Sequence, residues 1–172
     1  MQEVFIVDEI GAIVQKTNAA LSGKGFGMNV YYSYGHPKEI NQRLQTLSES
    51  AEDKNKVFPR ICLLTDIPIN RNIIGMYGQA KMRILICNYT EAEYTAEERT
   101  ENNFKPILHP IKKEFINQLS VYGLFGFEGE PTFTETDCYY YGSQINDKNQ
   151  FNDRIDAIEI TDLLVNITAK IC

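Results

Sequence analysis

The acidic residues near the end of the chain are the first candidates for chemistry. Four of them recur at three-residue steps: Asp153, Asp156, Glu159 and Asp162. Neighbouring carboxylates can bind a divalent cation or act as general acid and base. The residues between them are mostly isoleucine, leucine and valine, which favour a strand, so successive acidic side chains would alternate between two faces. We therefore predict that these residues form the polar ends and rims of a terminal strand.

A carboxylate enzyme is one alternative for the function of the chain. It would require Asp137, Asp153 and Asp156 to converge in a pocket and bind a divalent metal. The sequence contains no Gly-x-Ser-x-Gly elbow, no His-Glu-x-x-His motif and no Cys-His pairing, and it has two histidines and no tryptophan. We therefore expect a protein that is not an enzyme, with no catalytic residues, no bound metal and no cofactor.

The composition is that of an ordinary soluble globular protein. A length of 172 residues with 43% hydrophobic residues predicts a single domain spanning residues 1–172. The formal net charge of −6 argues against a nucleic-acid-binding surface, whose affinity comes largely from lysine and arginine. No apolar run approaches the roughly 18 residues of a membrane span, and the start of the chain does not resemble a signal peptide. The four widely spaced cysteines are expected to be reduced thiols, as in a cytoplasm.

Two short apolar runs at the centre of the chain predict the arms of a β-hairpin. They span residues 57–65 and 81–89, and turn-forming residues bound each of them. The connector Asp66–Ala80 is too long for a tight turn, and long loops in compact domains are usually functional or disordered. We predict that this loop protrudes and contacts another protein through side chains that are mainly apolar: Ile67, Ile69, Arg71, Ile73, Ile74, Met76 and Tyr77.

The rest of the chain predicts an α+β fold. Helical spacing of apolar residues predicts helices over residues 3–21 and 37–48. A third helical region begins near Thr95, and Pro106 and Pro110 predict either a kink in it or two helices that meet near Phe104. Alternating residues predict strands over 28–34, 132–141 and 154–167, with a bulged or edge strand within 121–127. We predict a mainly antiparallel or mixed sheet with two to three helices packed on it.

Tyrosines in two of these strands form a second candidate interaction surface. Consecutive tyrosines at 31–32 and 139–141 place aromatic rings on both faces of their strands, and only one face of each strand can belong to the core. Tyrosine is favoured at protein interfaces, although ordinary β propensity explains the pattern equally well. The candidates for a subunit interface are Tyr31, Tyr139 and Tyr141.

The layout of these elements resembles a family of phage structural proteins. The resemblance covers most of the chain and is carried by its layout and by four stretches: 30–40, 57–63, 104–111 and 152–160. The chain resembles the neck and tail-completion proteins of tailed bacteriophages, such as tail terminators and head–tail joining proteins, of the type found in phages of Bacteroides-like gut bacteria. The resemblance implies a helix, a hairpin-rich sheet and a protruding loop.

The resemblance also implies a function and a set of partners. The chain would be a virion protein, one subunit of a sixfold or twelvefold ring between the portal-side connector and the tail tube, assembled in the host cytoplasm. Each subunit of such a ring presents two different patches to its neighbours, and rotation closes the circle. DNA would pass through the ring without sequence-specific binding. The alternative to this structural role, besides an enzyme, is a monomeric protein-binding or regulatory module.

Overall fold

A computed structural model shows an α+β fold in which a mixed, mostly antiparallel and curled sheet carries helices on both faces. The structure describes residues 5–50, 52–71, 78–141 and 154–168. Seven strands form the sheet: β1 (Tyr31–Gly35), β2 (Arg60–Leu64), β3 (Ile69–Arg71), β4 (Gly78–Tyr89), β5 (Phe125–Gly126), β6 (Thr134–Cys138) and β7 (Ile155–Ile167). The predicted fold class is confirmed.

The long strands β4 and β7 form the centre of the sheet. The order across it is β1-β2-β4-β7-β5, and β3 pairs with β4 while β6 pairs with β7. Among the described strands only β1 and β2 are parallel neighbours, and helix α2 (Pro37–Ser50) lies between them in the chain. This connection is the usual one for parallel neighbours, because a tight turn can join only antiparallel strands.

Two hydrophobic clusters lie on opposite faces of the sheet. Helices α1 (Ile6–Gly23) and α4 (His109–Ser120) cover the larger cluster, to which β4 contributes Met82, Ile84 and Ile86. Helix α2 covers the smaller cluster, to which β4 contributes Leu85 and Cys87. Strand β4 therefore reads as a nearly continuous apolar run from Ile84 to Cys87, because helices cover both of its faces there.

Helix α1 contacts the edge strand β1 closely at two points. A Cβ atom added at Gly11 would lie 3.2 Å from Cε1 of the Tyr32 ring, so the absence of a side chain at this position allows the ring to approach the helix. About two turns later, the Asn18 side chain makes two hydrogen bonds of 2.7 Å with the backbone of Val30, one donated and one accepted. Asn18 thus satisfies the backbone groups just before the strand, as a neighbouring strand would.

The predicted hairpin is confirmed, but its connector is shorter than predicted. Strands β2 and β4 are antiparallel partners, with Cys62 opposite Leu85. The prediction that Asp66–Ala80 is all loop was wrong, because β3 pairs with the first residues of β4 and Ile69 lies opposite Ala80. In this position Ile69 packs against the larger cluster, and its burial favours the paired arrangement. Residues 72–77 lie outside the described residues.

The third helical region changes its hydrogen-bonding pattern where the prolines predicted a kink. It comprises α3 (Ala96–Arg99), a π-helical segment (Thr100–Leu108) and α4. Pro106 has no backbone N–H and would clash with the carbonyl one turn earlier. The helix widens instead, and the His109 N–H donates to the Phe104 carbonyl five residues back. The predicted start is confirmed, since Thr95 forms a capping box with Glu98.

A β-bulge interrupts the ladder between β4 and β7. Met82 lies opposite Leu163 while Ile84 lies opposite Ile160, so one residue of β4 faces two of β7. Asp162 has a φ of 58°, the left-handed conformation that aspartate tolerates better than most residues. The bulge keeps the apolar side chains of β7 on the core face while the strand continues past it.

Candidate functional site

The candidate site is the part of the sheet face that lies beyond helix α2. The side chains of β4 and β7 alternate, so those opposite the larger cluster point away from α1 and α4. Helix α2 packs over the smaller cluster, to which β4 contributes Leu85 and Cys87 and β7 contributes Ile155 and Ala157. We define the open face by seven side chains of the two strands: Gln79, Lys81, Arg83, Glu159, Asp162, Leu164 and Asn166.

Ion pairs across the two strands organise the open face. Lys81 Nζ lies 2.5 Å from Asp162 Oδ1, and Arg83 Nη2 lies 3.0 Å from Glu159 Oε1. The exposed fractions of these four side chains range from 24% for Glu159 to 53% for Asp162. A hydrogen bond from Lys81 lowers the pKa of Asp162 below its usual value, and the bulge places this carboxylate within reach of the lysine.

Leu164 is the large apolar side chain of the open face, and 41% of its surface is exposed. It lies opposite Lys81 in the ladder, and the amide side chains of Gln79 and Asn166 hydrogen-bond to each other beside it at 3.2 Å. The arrangement combines a central apolar contact with a basic column on β4 and a largely acidic column on β7. Such a surface can bind a partner that places acidic groups opposite the basic column and basic groups opposite the acidic column.

The predicted loop residues fall into three groups. Ile67 and Ile69 are partly buried and pack against the larger cluster, so they are not the freely exposed side chains that we predicted. Their burial follows from the β3–β4 pairing, which continues the sheet into the predicted loop. Arg71 is exposed at the end of β3. The other predicted contact residues lie outside the described residues: Ile73, Ile74, Met76 and Tyr77.

The three tyrosines predicted for a subunit interface make contacts within the chain. The Tyr139 ring lies 4.5 Å from the Phe104 ring, centroid to centroid, and its hydroxyl lies 2.6 Å from Thr100 Oγ1. Tyr141 packs against the smaller cluster, and burial raises the pKa of its hydroxyl. Tyr31 is partly buried, and the Arg60 guanidinium lies 5.8 Å from its ring centroid. Each of the three tyrosine rings therefore has a contact within the chain. The role of these tyrosines in a subunit interface stays a prediction.

The prediction that Asp156 lies at the rim of a strand was wrong. Its side chain is fully buried, and its Oδ1 atom accepts a hydrogen bond of 2.8 Å from the equally buried Arg99 guanidinium. The Asn103 amide donates to Oδ2 at 2.9 Å. Arg99 also donates to the backbone carbonyls of Glu91, Ala92 and Tyr94. Strand β7 can carry this carboxylate inward because the third helical region supplies partners for the charge.

The carboxylates of the enzyme alternative have different partners. Asp156 is held by Arg99 and Asn103, whereas Asp137 Oδ2 lies on the surface, 3.1 Å from His109 Nε2. Asp153 lies outside the described residues.

The sequence analysis did not identify Lys81 and Arg83, the basic residues of the open face. Their alternation with the apolar residues Ala80, Met82 and Ile84 could have predicted that both side chains lie on one exposed face of the strand.

A polar groove lies between the end of α1, the outer side of α4 and residues 129–131. It encloses about 680 Å³ and includes the buried carboxylate of Glu114 in its lining. The two Glu114 oxygens accept hydrogen bonds from Gln118 at 2.8 Å, Asn117 at 3.4 Å and Lys24 at 2.5 Å. These donors, Gln118 first, lower the pKa of Glu114 despite its burial.

The Glu114 contacts predict a pH-dependent contribution to stability. A carboxyl whose pKa is lowered in the folded state stabilises the fold above its unfolded pKa, and the contribution disappears as the pH falls through the folded value. Glu114→Gln removes the charge and is expected to lower the free energy of unfolding at pH 7 by about 1–3 kcal/mol. Urea denaturation at pH 7 and at pH 3 checks this, since the difference between the proteins should shrink at pH 3. An equal difference at both values would contradict the assignment.

A search of protein-family models and of curated proteins found no match for this chain. Within the described ranges, no helix is both long and apolar enough to cross a bilayer.

Proposed function

We propose that the chain is a structural virion protein, a subunit of a cyclic ring in the neck or tail of a tailed bacteriophage. In this role it joins the head and portal to the tail and keeps the DNA channel continuous. The observation that supports the proposal best is the open face, where two long strands extend beyond the cover of α2 and present paired charges around Leu164. An oriented surface of this kind suits contact with a neighbouring subunit.

The element layout gives a second line of support. The chain combines helices with a hairpin-rich sheet, which is the layout of the phage proteins that it resembles. In a ring, the open face of one subunit would contact a different patch on the next, because a heterologous contact is the type that closes by rotation. The acidic composition is compatible with DNA sliding past without adhering.

Light scattering on the purified chain, followed by negative-stain imaging, tests the proposal. We expect a closed ring for the unchanged protein. Leu164→Arg combined with Lys81→Glu is expected to give a folded monomer, because the new charges reverse the pattern that a neighbour must match. The matched control is Val121→Arg, since Val121 is an exposed apolar residue at the end of α4 and is 71% exposed. This control should assemble normally.

Two outcomes would contradict the proposal. Rings that persist in the double variant would show that the open face is not the contact surface. A monomer at every concentration for the unchanged protein, alone and with phage head or tail particles, would favour the alternative function, a monomeric protein-binding or regulatory module.

A further inference from the structure

A second polar cluster lies on the opposite side of the sheet, between α4 and the edge strand β6. Glu135 and Asp137 are two residues apart on β6, so both side chains point towards the helix. His109, at the start of α4, lies between them: its Nε2 is 3.1 Å from Asp137 Oδ2 and its Nδ1 is 3.8 Å from Glu135 Oε1. One nitrogen or oxygen from each of the three residues lies within 4.8 Å of the others.

Aromatic contacts lie beside this cluster. Tyr139, which directly follows β6, packs on Phe104 with the ring centroids 4.5 Å apart. The centroid of the His109 ring lies 6.1 Å from that of the Phe104 ring. Because a helix and a paired strand both carry ligands, their separation is set by the fold rather than by a mobile loop. Sites on such rigid elements are better defined than sites on loops.

We propose that His109, Glu135 and Asp137 bind a divalent transition-metal ion such as Zn²⁺. An imidazole nitrogen and two carboxylate oxygens are ligands that zinc takes in proteins. Zinc with ligand bonds of about 2.0–2.1 Å holds tetrahedral ligand atoms roughly 3.3 Å apart, so modest side-chain rotations complete the site. The exposed fractions are 36% for His109, 28% for Glu135 and 34% for Asp137, which allows an ion to enter and leaves a coordination position for water.

Lys112 makes the proposal sharply testable because it competes with the ion. Its Nζ donates to both oxygens of Glu135 at 2.9 Å. An incoming cation must displace this ammonium group from the carboxylate and then lies near its positive charge. Removing the lysine should therefore strengthen metal binding, whereas removing a ligand should abolish it. A cluster that serves only as an ion pair between α4 and β6 predicts no metal binding in any variant.

Calorimetric titration of the full chain with Zn²⁺ tests the site, with Cys138→Ser and Cys172→Ser as the background so that thiols do not bind the ion. We expect one equivalent to bind to this background protein. His109→Ala and Asp137→Asn should lose the binding, and Lys112→Ala should bind about fivefold more tightly. Mg²⁺ should give no heat, because it is bound mainly by oxygen ligands and water.

The result that overturns the proposal is either no zinc binding by the background protein or equal affinity in the His109→Ala variant. Circular dichroism and thermal unfolding of each variant confirm that the fold is retained, which the partial exposure of the substituted side chains leads us to expect. The site does not depend on the proposed ring, because it lies on the other face of the sheet from the open face.

Discussion

Asp156→Ala is expected to lower the free energy of unfolding by about 3–5 kcal/mol, because it leaves the Arg99 charge buried without its counter-ion. Both side chains of the pair are fully buried, so water cannot replace the lost carboxylate without opening the fold. The Asn103 amide would lose an acceptor as well, since it donates to the same carboxylate. Urea denaturation followed by circular dichroism measures the change.

The matched control is the ion pair of Arg83 and Glu159, which also joins an arginine to a carboxylate of β7. Its side chains are 45% and 24% exposed, so Glu159→Ala is expected to cost less than about 1 kcal/mol. A comparable loss in both variants would mean that burial is not what makes the Arg99–Asp156 pair important. A small loss in Asp156→Ala would mean that Arg99 reaches solvent.

Phe115→Ala is expected to lower the free energy of unfolding by about 3–5 kcal/mol as well, through a different mechanism. Phe115 lies on the buried face of α4, within the cluster that this helix forms with α1 and the sheet, and it is fully buried. Truncation removes apolar contacts from the larger cluster and leaves a cavity, because the surrounding structure relaxes only partly. The denaturation midpoint should fall with little change in slope.

Val121→Ala serves as the control for this truncation. Val121 follows α4 directly and is 71% exposed, so its truncation should change stability by less than about 0.5 kcal/mol. If the Phe115→Ala variant and this control had the same denaturation midpoint, the packing of Phe115 would contribute much less to stability than the burial of its side chain indicates.

The elements with local signals were predictable from the sequence. Glycines end α1, Thr95 and Glu98 cap the third helical region, and Pro106 marks where its hydrogen bonding widens. Each signal acts within one turn of the chain, so its effect can be read without knowing the fold. The alternation of β6 was predictable for the same reason, since period two follows from strand geometry alone.

Features that depend on partners distant in sequence were not predictable. Asp156 is an acidic residue in a strand, and only the fold brings Arg99, 57 positions earlier, to it. The pairing of β3 with β4 likewise buries Ile69, which the sequence alone presents as an apolar loop residue. The open face could not be predicted from the sequence either, because it depends on how far α2 covers the sheet.

The two hydrogen bonds between Asn18 and Val30 bear on how copies of this chain can join. An uncovered edge strand can pair with a strand of another chain, and repeated pairing of this kind gives an open-ended aggregate. Just before β1, an added strand would have to displace the Asn18 side chain, which already makes both backbone hydrogen bonds of Val30 at 2.7 Å each. The Asn18 contact therefore disfavours the addition of strands at this edge of the sheet. Contacts between the open face and a different patch on another copy can instead end in a closed assembly of fixed number.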